Sequence, residues 1–416
     1  MIVKPLDRRP VDADSGLPLA EFTDALRSAG ADAWRVHYAA LRRRQAGEDV
    51  VVLTVGDPDF DTPAPIVDAA VDAMRGGDTH YTVSGGVGRL ADTIAQIESA
   101  RLGRPITPDE VVTTVGAQNA LFSLFRCLLQ SGDEALLLSP PYNMFAGLAH
   151  IAGAAVRMVP LDTKRGFALD VDAIEAAFSH RTRLVLANFP HNPSGALAKP
   201  EDLARLVDLC RERGVWLISD EAYADLVYEG EFISPAQLPG DNRHVVAVRS
   251  LSKSHAMTGW RMGWVVAGAS LCAHLRNLIS HVSYGSPGFI EAGAIAALTA
   301  PIPEVAEMRD AYRARRDALC EVLGDQPGFA LVRPPAGIFC VADVSATGMD
   351  GNTFAERLLE AQGVSVLSGA TFAPELEHHV RIALCAPAER LRDAARRIRS
   401  FVEQAMTEQK AMAETA

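Results

Sequence analysis

The sequence predicts an α/β fold: a large, mostly parallel sheet flanked by helices, followed by a smaller α+β portion. Three observations carry that expectation. Between Glu110 and Gly263, short β-branched apolar runs alternate with segments of helical period, the pattern of a parallel sheet built from strand–helix–strand units. After Gly263 the alternation gives way to consecutive helical stretches and then to strand-like runs, which reads as a separate α+β layer. The chain is also 416 residues long, enough for two or three domains and a large buried core.

Taken in order, residues 1–30 are polar with little sustained period and read as a loosely held arm. Residues 31–46, with Trp34, Val36 and Leu41, have the spacing of an amphipathic helix. Val50–Thr54 is strand-like and ends at Gly56-Asp-Pro-Asp-Phe60. A glycine there serves either a plain turn or a close approach of backbone to ligand. Thr62-Pro63 predicts a capped helix start. Tyr81 leads into Ser84-Gly-Gly-Val-Gly88, a flexible loop, because no strand precedes it and its spacing is wrong for a dinucleotide site.

Val111–Val115 runs into Gly116-Ala-Gln-Asn119 and a helix to about Gln130. Strand, glycine and helix N-terminus together make an anion site at Ala117 and Gln118. Ala135–Leu138 is the next strand, and Tyr142 is expected to open a helix, either as a core ring or stacked on a flat ligand. Strand–helix pairs follow at 155–160/170–178 and 183–188/200–213, then strands at 215–219 and 245–249. Beyond Gly263, helices are expected at 271–281, 287–299 and 302–323. Strands follow at 338–343, 364–367 and 379–384, with a last helix at 388–406 and a frayed end from Gln409.

The net charge of −12 argues against nucleic acid or an anionic membrane as partner. Arginine clusters at 313–316 and 390–399 are interleaved with acids and read as solvated helix faces. Six cysteines are scattered through apolar runs without ligand spacing, so they read as reduced residues of a cytoplasmic protein, and no metal site is expected. The N-terminal residues lack the apolar core of a signal peptide, and no apolar run approaches a membrane span.

Chemistry concentrates in Ser250-Leu-Ser-Lys-Ser-His-Ala-Met-Thr-Gly-Trp-Arg-Met-Gly263. The chain holds five lysines. Of these, Lys253 alone stands between serines at a strand end, where open α/β sheets bind ligands. A desolvated lysine amine forms Schiff bases with aldehydes; the plainer reading is a loop lysine. Asp220-Glu-Ala-Tyr223, Asn192-Pro-Ser-Gly195 and Arg381 each have plain readings too, as cap, turn and surface charge.

Together, in this order, these motifs resemble the aspartate-aminotransferase superfamily of pyridoxal-phosphate enzymes, fold type I, over about Val51 to Leu384. The resemblance implies a mostly parallel seven-stranded sheet in a large domain, residues 61–300. Residues 1–60 would form an N-terminal arm and part of a small domain completed by 301–416. It implies a homodimer in which Tyr81 reaches the neighbouring subunit's cofactor phosphate. Lys253 would hold pyridoxal 5′-phosphate, and Asp220, preferred over Glu221, would face its ring nitrogen. Asn192 and Tyr223 would donate to the phenolic oxygen, and Tyr142 would stack. Ser250, Ser252, Arg261 and backbone at Ala117–Gln118 would take the phosphate. Arg381 would bind a substrate α-carboxylate, beside Gly56.

Within the superfamily, Val55-Gly-Asp-Pro-Asp-Phe, Pro190-His-Asn-Pro-Ser-Gly and Tyr284-Gly-Ser-Pro are similar to motifs of arginine–pyruvate transaminases. Glu291 departs, since glutamine is expected there. A guanidino-bearing amino donor and a 2-oxo acid such as pyruvate are therefore expected. Asp57, Asp59 and Glu291 are the candidate acids for the donor's side chain. Rival readings are another reaction on the same fold (oxidation, decarboxylation or β-elimination), a transaminase for aromatic or neutral amino acids, or a regulator. The arm is too short for the DNA-binding module a regulator would need.

Overall fold

The computed structural model describes residues 10–28, 34–82 and 88–415. Residues 1–9 and 29–33 of the expected arm and 84–87 of the expected flexible loop lie outside the described residues. Among the described residues thirteen strands run as β1 Val51–Val52, β2 Val111–Thr114, β3 Glu134–Ser139, β4 Ala155–Pro160, β5 Thr182–Asn188, β6 Trp216–Asp220, β7 Val245–Ser250, β8 Gly263–Val266, β9 Ala330–Val332, β10 Phe339–Asp343, β11 Val364–Ser365, β12 Leu367–Ser368 and β13 His379–Ala383.

Seven of them form one sheet in the order β2-β8-β7-β6-β5-β3-β4. It is mostly parallel, with β8 antiparallel to both its neighbours. Strands β2, β3, β7 and β8 are buried throughout, which is why they read as continuous apolar runs rather than alternating ones. Successive residues still face opposite layers. Val245 and Ala247 belong to one core with Leu136 and Val185, while Val246 and Val248 belong to another with Leu137 and Leu184.

The remaining strands build a four-stranded sheet, β12-β13-β10-β9, and a parallel pair, β1 with β11. They share a third core with the helices Pro303–Leu323 and Ala388–Thr415. Asp59 ties the segment after β1 to this layer: Arg315 donates to both its carboxylate oxygens at 2.6 and 2.9 Å. Among the described residues no single helix is long and apolar enough to cross a membrane.

The structure corrects several local expectations. β8, β9 and the helix Gly351–Gln362 were not foreseen. The terminal helix runs to Thr415, past the expected end at 406, because Gln409-Lys-Ala-Met-Ala-Glu consists of good helix formers. Thr62 does not cap the next helix; it donates to the Ala256 carbonyl and accepts from Trp260 Nε1. Tyr142 stands in the turn ahead of the helix Phe145–Ile151 rather than opening it.

Candidate active site

A cavity of about 270 Å³ opens where the parallel strands end, the place an open α/β sheet offers a ligand. The final residues of β5, β6 and β7, Asn188, Asp220 and Ser250, all line it. A chain of hydrogen bonds ties two of these ends together. Asn188 Nδ2 donates to the Asp220 carbonyl at 3.1 Å, and Asn188 Oδ1 accepts the Asn192 N–H at 3.0 Å. His191 anchors the same turn from below. Its Nε2–H donates to the Pro140 carbonyl at 2.9 Å, which leaves Nδ1 to accept the Ser194 hydroxyl at 2.7 Å. Burial pushes that imidazole down to about 4, so it sits neutral.

Lys253 is brought into the cavity, its Nζ donating to the Gly56 carbonyl at 2.6 Å. Burial holds this amine below the ordinary lysine range, and Arg381 and Arg261 act in the same direction, while Cys385 and Asp57 oppose. Asp220 is 6 % exposed. Its carboxylate accepts the Ala222 N–H at 3.2 Å. Burial pushes it up to about 7, with Glu221 adding in the same sense. A buried carboxyl so poorly supplied with donors calls for a cation opposite it. Tyr223 is buried beside it, and burial raises its phenol above the ordinary value.

At the other end of the cavity the backbone builds an anion cradle. Gly116 has φ of +79° and starts the helix Gly116–Leu128. A Cβ on it would come within 2.5 Å of Arg261 Nη2, so only glycine lets the guanidinium lie across this helix N-terminus. Arg261 itself adopts φ of +56° and is fixed by donation to the Thr258 carbonyl at 2.8 Å. Ser250 Oγ donates to Ser252 Oγ at 2.9 Å and accepts the Ser252 N–H at 3.1 Å. Ala117 and Gln118 line the same end. Helix dipole, guanidinium and two hydroxyls converge as a phosphate needs.

Arg381 is 4 % exposed and held on four sides. It donates to Asn192 Oδ1 at 3.1 Å and to the Thr54 carbonyl at 2.6 Å. The rings of Phe339 and Phe372 flank it at 3.9 and 4.9 Å. Burial pulls the guanidinium down to about 10, and its Nε has no partner in the structure. A small anion placed here would satisfy it. Sequence reasoning missed Trp34, Phe339, Phe372 and Thr258, which shape this cavity or its arginine. Their roles come from packing, and no motif marks them.

Four expected residues, Tyr81, Glu291, Asp57 and Asp59, do not line this cavity. Tyr81 is 87 % exposed and stands against the Tyr284 ring at 4.7 Å, beside a second cavity. Glu291 lies on the helix Gly288–Thr299, where burial and then Asp78 push its carboxyl up to about 7. Of the other acids proposed to read a side chain, Asp59 is occupied by Arg315. Asp57 accepts the Thr258 hydroxyl at 2.7 Å.

This donor set suits pyridoxal 5′-phosphate. The cradle at Gly116, left open by the missing Cβ, would take the phosphate; the donor-poor Asp220 would face the ring nitrogen; Lys253 would supply the amine. The comparisons agree. Residues 48–398 match the family described as aminotransferase class I and II. The chain is 46 % identical over 379 residues to arginine–pyruvate transaminase AruH of Pseudomonas aeruginosa, covering 91 % of this chain and 96 % of that one. It is 36 % identical to an aspartate/prephenate aminotransferase of Thermus thermophilus over 87 % of this chain and 93 % of the relative. Among solved structures, aspartate aminotransferase from Thermotoga maritima superposes with a TM-score of 0.88 at 31 % identity, over 92 % of this chain and all of that one. The Thermus thermophilus aspartate aminotransferase with maleate gives 0.87 at 34 %, over 92 % and 99 %. The chain thus belongs to the class I and II aminotransferases, pyridoxal-phosphate-dependent enzymes of fold type I.

Proposed function

We propose that this aminotransferase moves the amino group of L-arginine, or another guanidino-bearing amino acid, to a 2-oxo acid such as pyruvate. The observation that carries the reading is the 46 % identity to a relative named for that reaction, across nearly both full lengths. The site supports it with residues in these roles. Arg381, clamped by Asn192, Thr54 and two rings, takes the α-carboxylate of donor and acceptor alike through its fork of N–H groups. Gly56 bounds that end of the cavity. Lys253, buried and with a depressed affinity for its proton, takes the proton from the substrate Cα and returns it. When bound, the cofactor supplies an aldehyde that condenses with amines and a ring that accepts the electron pair left at Cα.

Asp220 would keep the ring nitrogen protonated, and Tyr142, which lines the same cavity, would stack on the ring. Asn192 retains its amide N–H₂ for the phenolic oxygen, since its Oδ1 already serves Arg381. Tyr223 donates to the same oxygen. Arg261, Ser250, Ser252 and the helix N-terminus at Ala117–Gln118 hold the phosphate. We further read the enzyme as a homodimer with Tyr81 completing the partner's site, because its exposed ring lines a second cavity rather than the one that holds Lys253. Six free cysteines favour the cytoplasm.

A neutral or aromatic donor is the second reading, favoured by the cavity wall. Trp34 and Phe339 line it, and Asp59 spends both its oxygens on Arg315. Incubating the pure enzyme with pyruvate and a panel of amino acids, and measuring alanine, separates the two. Arginine is expected to give the highest kcat/KM. Faster turnover of phenylalanine or aspartate would overturn the arginine reading and leave the family assignment standing.

A further inference from the structure

Behind the sheet, opposite the cavity, lies a buried charged cluster that the reaction chemistry does not use. Strand alternation puts it there. Asp220 and Ser250 face the cavity, and their neighbours Glu221 and Arg249 point to the other face. Arg249 is 3 % exposed and meets two carboxylates that are equally buried. Its Nε stands 3.0 Å from Oε1 and 3.1 Å from Oε2 of Glu98, on the helix Arg89–Leu102. Its Nη2 stands 2.8 Å from Glu221 Oε2, a charge contact without hydrogen-bond alignment. Trp264 Nε1 donates to Glu98 at 3.2 Å, and Ser234 Oγ donates to Glu221 at 2.6 Å. Arg101 reaches Glu98 from the rim at 3.7 Å and pairs with Asp225 at 3.0 Å.

Stability alone does not explain such a cluster. Taking two carboxylates and a guanidinium out of water costs about what their attraction returns, and an apolar triad of the same volume would hold the layers together as well. What charges add is directional, fixed spacing. The three residues join the C-terminal ends of β6 and β7 to one helix. Asp220 ends β6 and Ser250 ends β7, three residues ahead of Lys253. The ladder is already thin here, continued by the Glu221 N–H donating to the Val248 carbonyl at 2.9 Å.

We propose that Arg249 is a positioning residue for transamination, acting through Glu221 and Glu98 to fix the spacing between Asp220 and the Ser250–Lys253 segment. Its side chain touches neither substrate nor cofactor. The role is independent of which amino acid is the donor. Glu221 also places a negative charge one residue from Asp220, and Arg249 offsets that charge.

The test compares the holoenzyme with Arg249→Lys and with an all-neutral variant, Glu98→Gln/Glu221→Gln/Arg249→Met. Four quantities are read: melting temperature of the apoenzyme, affinity for added pyridoxal 5′-phosphate, the pH midpoint of the bound cofactor's absorbance, and kcat and KM for the amino donor. The all-neutral variant is expected to melt close to the parent. Its absorbance midpoint should move by about 0.5 pH unit or more, and kcat should fall at least about tenfold. KM should change little, because the Arg381 clamp stands on β13. Arg249→Lys should recover part of both effects. An all-neutral variant with the parent's midpoint and kcat would overturn the proposal, since the cluster would then serve folding alone. Should that variant fail to fold, Arg249→Lys decides: an unshifted midpoint and unchanged kcat in a normally melting protein would equally overturn it.

Discussion

Lys253 owes its chemistry to burial, and that separates its role in the reaction from any role in packing. Among the described residues its amine has one hydrogen-bond partner, the Gly56 carbonyl. Lys253→Ala is therefore expected to abolish alanine formation while leaving the melting temperature of the apoenzyme within about 2 °C of the parent, as for a change that removes no packing. Borohydride reduction of the holoenzyme should place the cofactor on the peptide containing Lys253; a label on another lysine would remove the assignment. His191 makes a second residue-level prediction, about pH. Its folded-state value is about 4 against an ordinary 6.5. The neutral imidazole thus stabilises the fold fully above pH 6.5, and that contribution is lost as pH falls from 6.5 to 4. The loss is at most about 3 kcal/mol. Melting temperature followed from pH 8 to pH 4 should show the slope in that window, and His191→Gln should flatten it. At this scale the sequence was most legible where a polar residue stands at or a few residues past the end of a buried strand, as at Asp220, Asn192 and Lys253. Phe339 and Phe372 were illegible because their service to Arg381 depends on a fold that brings distant rings to one guanidinium.

Elements were legible in proportion to their length and burial. The continuous apolar runs of β3, β5 and β7 announced themselves, while the count of seven strands came from the family resemblance. β8 did not: its first residue is Gly263, which closes the glycine-rich motif, and its four residues are too few to stand out from it. β10 shows how an element acts at the site. Phe339 begins it, packs over Arg381, and leaves no room above Gly56, where a Cβ would collide with the ring at Cζ and lie 2.8 Å from Cε1. Gly56→Ala is expected to push that ring off the guanidinium. KM should then rise roughly tenfold for arginine and for uncharged amino acids alike, with a smaller change in kcat. An unchanged KM would show that the ring's position does not matter to carboxylate binding.

For the whole molecule, the exposed pair Tyr81 and Tyr284 is the feature that one chain leaves unexplained. If two copies share sites across a two-fold axis, mixing Tyr81→Phe subunits with Lys253→Ala subunits should restore activity. Random reassortment gives about a quarter of the sites an intact pair, one hybrid dimer in two with one good site each. No recovery, or a monomer in solution at assay concentration, would show that each chain completes its own site. The overall plan could be read from the order of strand and helix signals, whereas the docking of residues near the N-terminus against the C-terminal portion was expected only through the family resemblance. Both strands of that contact were legible as short apolar runs, but their pairing and the Asp59–Arg315 pair join residues far apart in sequence and have no local signature.

The pairing of β1 with β11 also sets a timetable for the ribosome. Val51 aligns with Val364, so β1 waits for a partner translated about 310 residues later, roughly 15–60 s at ordinary elongation rates. The central sheet, whose strands all lie between Val111 and Val266, has every partner it needs long before. Nascent chains stalled before Val364 should therefore show a protease-resistant sheet with the stretch around Val51 still cleavable, and protection there should arrive only once β11 has left the exit tunnel. Early protection of that stretch would mean that β1 docks without its strand partner.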